Sequence, residues 1–128
     1  MSLVAVIVAV ALIEFFVFGL LVGRARAQYG VPAPAISGHP IFERYMRVHQ
    51  NTMEQLVVFI PAIFLFATYV SAGIAALLGL LFVIGRLVYL RGYVANPAKR
   101  GTGFAISTLA QAVLMLGGLA GAVAAWLA

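Results

Sequence analysis

Arg47, Asn51 and Glu54 stand at i, i+4 and i+7, which on an α-helix is a single face. Arg44 precedes them on the same side. Farther along the chain, Arg86, Tyr89 and Tyr93 at i, i+3 and i+7 form a second stripe. Together these residues could hold a small zwitterionic ligand. Arginine pairs with a carboxylate through a planar fork, Glu54 would hold an ammonium group, and Asn51 would bond an amide. A plainer reading uses the same residues: Arg44 and Arg47 reach toward lipid headgroups, the tyrosines join an interfacial aromatic belt, and Arg86 pairs with Glu54. Headgroup contacts alone have no use for Asn51 and Glu54, which carry the stripe deeper into the helix.

Two further residues stand apart. Arg100 lies just before an apolar run, where the first backbone N–H groups of a helix are unpaired and partly positive. A thiol held there would meet a guanidinium and a helix N-terminus, and both favour the thiolate. The same arginine would also serve as an ordinary positive flank. Glu14 interrupts the first apolar run near its middle, where a carboxylate is costly. It suits either a structural contact with a neighbouring helix or a proton-coupled transport site.

The elements that must position these residues follow from composition. Of 128 residues, 65% are hydrophobic and 9% charged, and the mean hydropathy is +1.13. Soluble domains carry about 25% charged residues, so the bilayer is the solvent that suits this chain. The absence of cysteine removes disulfides, thiolate metal sites and a cysteine nucleophile. Two histidines and three acids argue against a metal site. The net charge of +5 does not indicate nucleic acid, because the basic residues flank apolar runs rather than form a basic face.

A spanning helix needs about 20 mostly apolar residues. Met1–Gly23 supplies the first. Arg24–Ile41, with Pro32, Pro34 and Pro40, cannot continue it. The second is expected from Phe42, apolar from Leu56 to Val70, with a kink at Pro61. Ser71-Ala72-Gly73 reads as a tight turn, Ile74–Tyr93 as the third span, and Gly101–Ala128 as the fourth after Asn96-Pro97. No internal repeat or low-complexity linker divides the chain, which reads as one domain, 1–128. The expected fold is an all-α membrane protein, a four-transmembrane-helix bundle. The first span is expected to be retained: it has no basic residue before it and exceeds the apolar stretch of about 7–15 residues of a signal peptide, although Ala25-Arg26-Ala27 resembles a cleavage site. Arg24, Arg26, Arg44, Arg47, Arg86, Arg91, Lys99 and Arg100 all gather around the first and third connections. The positive-inside rule places those connections in the cytoplasm and both termini on the opposite side.

The segment FERYMRVHQNTMEQ at 42–55, followed by RLVYLRGY at 86–93 and by Arg100, resembles the MAPEG family, membrane-associated proteins in eicosanoid and glutathione metabolism. The resemblance covers nearly the whole chain and is closest in the second helix. Its Phe-Glu-Arg start is similar to that of leukotriene-forming glutathione synthases, and its Arg-x-His-x-Asn-x-x-Glu run to that of membrane prostaglandin E synthases. The resemblance implies a homotrimer of four-helix subunits that binds glutathione between subunits near the cytoplasmic side. Arg47, Asn51, Glu54, Arg86, Tyr89 and Tyr93 would line the glutathione site. Arg26 would reach a glutathione carboxylate, and His49, off that face, would serve the neighbouring subunit's site. Arg100 would stabilise the thiolate. Gln55 stands where the leukotriene branch has a tyrosine, Ala27 where it has a second arginine, and Phe104 near a usual tyrosine, which weakens any claim to those particular reactions.

Three functions are therefore compared. The leading one is a glutathione transferase, with peroxidase activity as a further capacity, acting on lipophilic electrophiles dissolved in the bilayer. Glutathione is then the co-substrate and no metal is needed. The second is a non-catalytic scaffold of the same fold that binds lipid or a partner protein. The third is a small proton-coupled exporter built around Glu14, a class that also has four helices but does not need polar stripes on the second and third.

Overall fold

A computed structural model describes all residues from Met1 to Ala128. The chain folds into four long helices, α1 (Ser2–Tyr29), α2 (Pro40–Tyr69), α3 (Ala72–Ala95) and α4 (Gly101–Leu127), with a single 3₁₀ turn at Pro97–Lys99 before α4. Each long helix is long and apolar enough to cross a membrane. α2 is the least apolar of the four, because it carries the polar stripe.

The helix ends follow local chemistry and correct several expected boundaries. α1 does not stop at Gly23 but runs on through Arg24 and Arg26 to Tyr29. Arginine, alanine and glutamine are tolerated in a helix, and 28 residues at 1.5 Å each span about 42 Å, more than the hydrocarbon core. α1 is thus longer than an apolar layer alone requires. The true stop is Gly30, whose φ of +66° is left-handed and whose N–H bonds the Arg26 carbonyl, a conformation that suits glycine. α2 begins at Pro40 rather than Phe42. Proline at the first position loses nothing there, and His39 caps it by accepting from the Ile41 N–H at 3.1 Å through Nδ1. The helical run of α2 is unbroken through Pro61. The expected turn at 71–73 is shorter than its sequence suggests: Ser71 caps α3, its Oγ accepting from the Ile74 N–H at 3.2 Å, so Ala72 and Gly73 are already helical.

The core lies between all four helices. Val4, Val8 and Ala11 of α1 meet Phe59, Ile63 and Phe66 of α2, Phe82 and Val83 of α3, and Leu114 of α4. Phe59 and Phe82 stack with ring centroids 3.9 Å apart. Large apolar side chains such as Val57, Leu77, Leu109 and Trp126 point outward, the arrangement a lipid solvent favours because tails are as apolar as leucine.

Two glycines set the spacing of α3 and α4. A Cβ on Gly85 would lie 2.7 Å from the Ser107 backbone nitrogen, and one on Gly103 would run into the Tyr89 backbone. The two helices therefore touch backbone to backbone, the close approach that small residues allow in membranes. This contact brings the start of α4 beside Tyr89 and Tyr93.

Candidate functional site

The two polar stripes converge. Arg47 and Asn51 from α2, Tyr89 and Tyr93 from α3, and Arg100 and Phe104 at the start of α4 line one cleft of about 640 Å³. That volume falls within the range of about 300–1,000 Å³ common to small-molecule sites. A second cavity of about 260 Å³ adjoins it, sharing Arg47 and Tyr93 and adding Ile36, Glu43, Met46 and Gln50.

The cleft is held from behind by Arg86. This side chain is 0% exposed; its Nη1 donates to Asn51 Oδ1 at 2.7 Å, and its guanidinium carbon lies 4.2 Å from the Tyr89 ring centroid. Arginine has donors only, so the Asn51 oxygen must face it, which leaves the Asn51 amino group free to donate elsewhere. Burial and the cation over its face fix the Tyr89 ring. Tyr93 follows at 5.6 Å between centroids and Phe104 at 6.3 Å, giving the cleft an aromatic wall.

Arg100 occupies the N-cap of α4 with no side-chain cap on the helix, so the first amides of α4 have no side-chain acceptor and Arg100 sits among them. Its Nη1 donates to the Pro97 carbonyl at 2.9 Å, and the preceding turn is set by Asn96, whose Oδ1 accepts from Ala98 N–H at 3.0 Å. The junction is anchored from α2, where Arg44 Nη1 donates to the Val94 carbonyl at 2.9 Å. Arg44 thus closes the end of α3, in place of the headgroup role a plain reading gives it. With Arg47 and Arg100 lining the cleft and no acid among its six lining residues, the cleft favours an anionic ligand.

Four expected site residues lie elsewhere. Glu54 is exposed on the outer surface and is not among the cleft residues. The Arg86–Glu54 pair of the plainer reading does not form, because Arg86 turns to Asn51. Arg26 folds onto the first connection, donating to the Ala35 carbonyl at 2.6 Å and lying 4.8 Å above the Phe42 ring. His49 points away from the cleft as its helical phase requires and stacks on Phe15 of α1 at 4.5 Å. Arg86 supports the cleft from the core rather than lining it. Glu14 is 8% exposed, inside the bundle.

The contribution of Gly85 and Gly103 was not read from the sequence. The available signal was the small-residue face of Gly103 and Ser107 opposite Gly85, which permits close helix contact. Phe104, noted only as a departure from a family pattern, proves to be part of the cleft wall. No group of three histidine, cysteine or acidic side chains gathers as a metal site.

A four-helix membrane bundle with a cationic, tyrosine-walled cleft at its basic end is the class of protein that these features define. The chain belongs to the MAPEG family, whose profile matches residues 3–120. It is similar to an uncharacterized protein of Synechocystis, 45% identical over 90% of this chain and 84% of that one. It is 40% identical to human microsomal glutathione S-transferase 2, over 81% of this chain and 71% of the relative. Mouse leukotriene C4 synthase is 33% identical over 79% of this chain and 67% of its own length.

Proposed function

We propose that this protein is a membrane-bound glutathione transferase that conjugates glutathione to lipophilic electrophiles dissolved in the bilayer. The observation that carries this reading is the cleft formed by Arg47, Asn51, Tyr89, Tyr93 and Arg100. The names of the relatives in the transferase branch support the same reading. In this reading Arg47 pairs with a glutathione carboxylate, and the free amino group of Asn51 donates to a peptide carbonyl. Arg100 stabilises the thiolate, which attacks the electrophilic carbon. A carbon–sulfur bond forms, the leaving group departs or the acceptor is protonated, and the thiol proton passes to water. Protein groups supply position and charge, while glutathione supplies the nucleophile. Reduction of lipid hydroperoxides by the same thiolate is a further capacity of this site.

The active unit in this reading is a homotrimer. Arg26 and His49, which lie outside the cleft of their own chain, and Glu54, exposed on its surface, then act across subunit boundaries. The basic end of the bundle faces the cytoplasm, where glutathione enters, and the electrophile arrives from lipid.

The test is conjugation of a chromogenic chloronitrobenzene by the purified protein in detergent or nanodiscs. Thiol-dependent product formation that saturates with glutathione is the expected result. Absence of both turnover and calorimetric glutathione binding would leave a non-catalytic scaffold as the better reading.

A further inference from the structure

The cleft uses Arg86 but gives no task to Glu14. Both belong to the most buried polar groups of the chain, at 0% and 8% exposed. Arg86 spends only Nη1, on Asn51; its Nε and Nη2 have no partner, and neither do either of the Glu14 carboxyl oxygens. An arginine in an apolar bundle with one hydrogen bond and one aromatic face is far from satisfied. Glu14 is the only acid among the buried residues, since Glu43 and Glu54 are exposed. On α1 it lies between Ala11, which shares a core cluster with Val83 of α3, and Phe18, which shares one with Tyr89; Arg86 lies between Val83 and Tyr89 on α3. His49, stacked on the neighbouring Phe15, lies against Gly19 of the same helix.

We propose that Glu14 is a positioning residue for the glutathione cleft: it supplies the counter-charge that holds the Arg86 guanidinium through a bridging water, and thereby fixes Asn51 and Tyr89. The relay runs from Glu14 on α1 to Arg86 in the bundle core, and from Arg86 to Asn51 and Tyr89 at the cleft wall. Glu14 touches no substrate; its effect is exerted through the acceptor bond at Asn51 and the cation over Tyr89. This inference rests on the glutathione reading of the cleft, but the Glu14–Arg86 coupling itself does not.

The experiment is a double-mutant cycle on the full chain in nanodiscs, with E14L, R86M and the double variant. Glutathione KM, kcat toward the chromogenic electrophile and thermal midpoint are recorded for each. E14L should raise KM for glutathione about tenfold with a much smaller change in kcat, as loss of a ground-state positioning contact does. On the R86M background, the same substitution should have no further effect on KM. E14Q, which keeps the shape and hydrogen bonding but not the charge, should lie between E14L and the native protein. Should E14L fail to fold, the double variant should fold again, because the uncompensated guanidinium has been removed. Additive effects on KM, or a double variant as poorly folded as E14L, would overturn the proposal. If the native protein binds no glutathione, the glutathione reading fails, while the thermal midpoints still report whether Glu14 and Arg86 are coupled.

Discussion

Arg86 donates to Asn51 Oδ1 across 2.7 Å between α3 and α2, and this single bond joins the two polar stripes into one site. It decides which end of the Asn51 amide can reach a ligand. Asn51→Ala should weaken glutathione binding about tenfold, the worth of one well-placed hydrogen bond in a dry site. Asn51→Asp should do worse on binding while strengthening the contact with Arg86, since it replaces a donor by an acceptor. Isothermal titration with glutathione checks both. Equal affinities for the native and Asn51→Ala proteins would remove Asn51 from the site.

In the proposed reaction Arg100 acts on the sulfur rather than on binding as a whole. Arg100→Ala should lower kcat about 100-fold, comparable to losing one electrostatic stabiliser of a developing anion. Affinity for S-hexylglutathione, which has no thiolate, should change little. The thiolate absorbance near the far ultraviolet edge, followed on mixing with glutathione, should be lost in the variant. Full turnover by Arg100→Ala would assign the thiolate to another group.

Gly103 sits where any side chain meets the Tyr89 backbone. Gly103→Ala should push α3 and α4 apart and cost about 1–3 kcal/mol of stability, as overpacking does. Gly103→Leu should fail to give folded protein. Because the displacement moves Arg100 from Tyr89 and Tyr93, Gly103→Ala should also lose activity disproportionate to its fall in thermal midpoint. Scanning fluorimetry alongside the conjugation assay measures the two effects separately.

Arg26 closes the first connection by its bond to the Ala35 carbonyl at 2.6 Å. Arg26→Ala should free the segment from Val31 to Gly38 and increase its cleavage by proteinase K in intact proteoliposomes. If Arg26 also reaches a neighbouring subunit's ligand, as the trimer reading holds, the same variant should raise KM for glutathione. Unchanged cleavage would contradict the tie seen here.

Topology is open to direct measurement because the chain has no cysteine. Ser71→Cys, at the uncharged turn between α2 and α3, should react with an impermeant maleimide only from outside the cell. Ala98→Cys, in the basic turn before α4, should react only after permeabilisation. The opposite pattern would invert the assigned orientation.

The amino-acid sequence by itself determined the membrane, the number of spans and the candidate faces. Each follows from local rules: apolar length for the spans, clustering of arginine and lysine for the basic end, and helical phase for the stripe from Arg47 to Asn51 and the stripe from Arg86 to Tyr93. The family followed from the same residues in order. What only the tertiary structure decided was which members of each stripe meet. Glu54 shares a face with Arg47 in helical phase, yet it is exposed outside the cleft, and Arg86 bonds Asn51 instead. The tie of Arg26 to the first connection likewise depends on the chain reversal at Gly30, which brings the Ala35 carbonyl within its reach. The place of Arg100 was fixed by the backbone contact of Gly85 and Gly103 with the opposing helix. Pattern along a chain gives the phase of a helix; the distance and rotation between helices come from packing residues far apart in sequence, and those alone set the cleft.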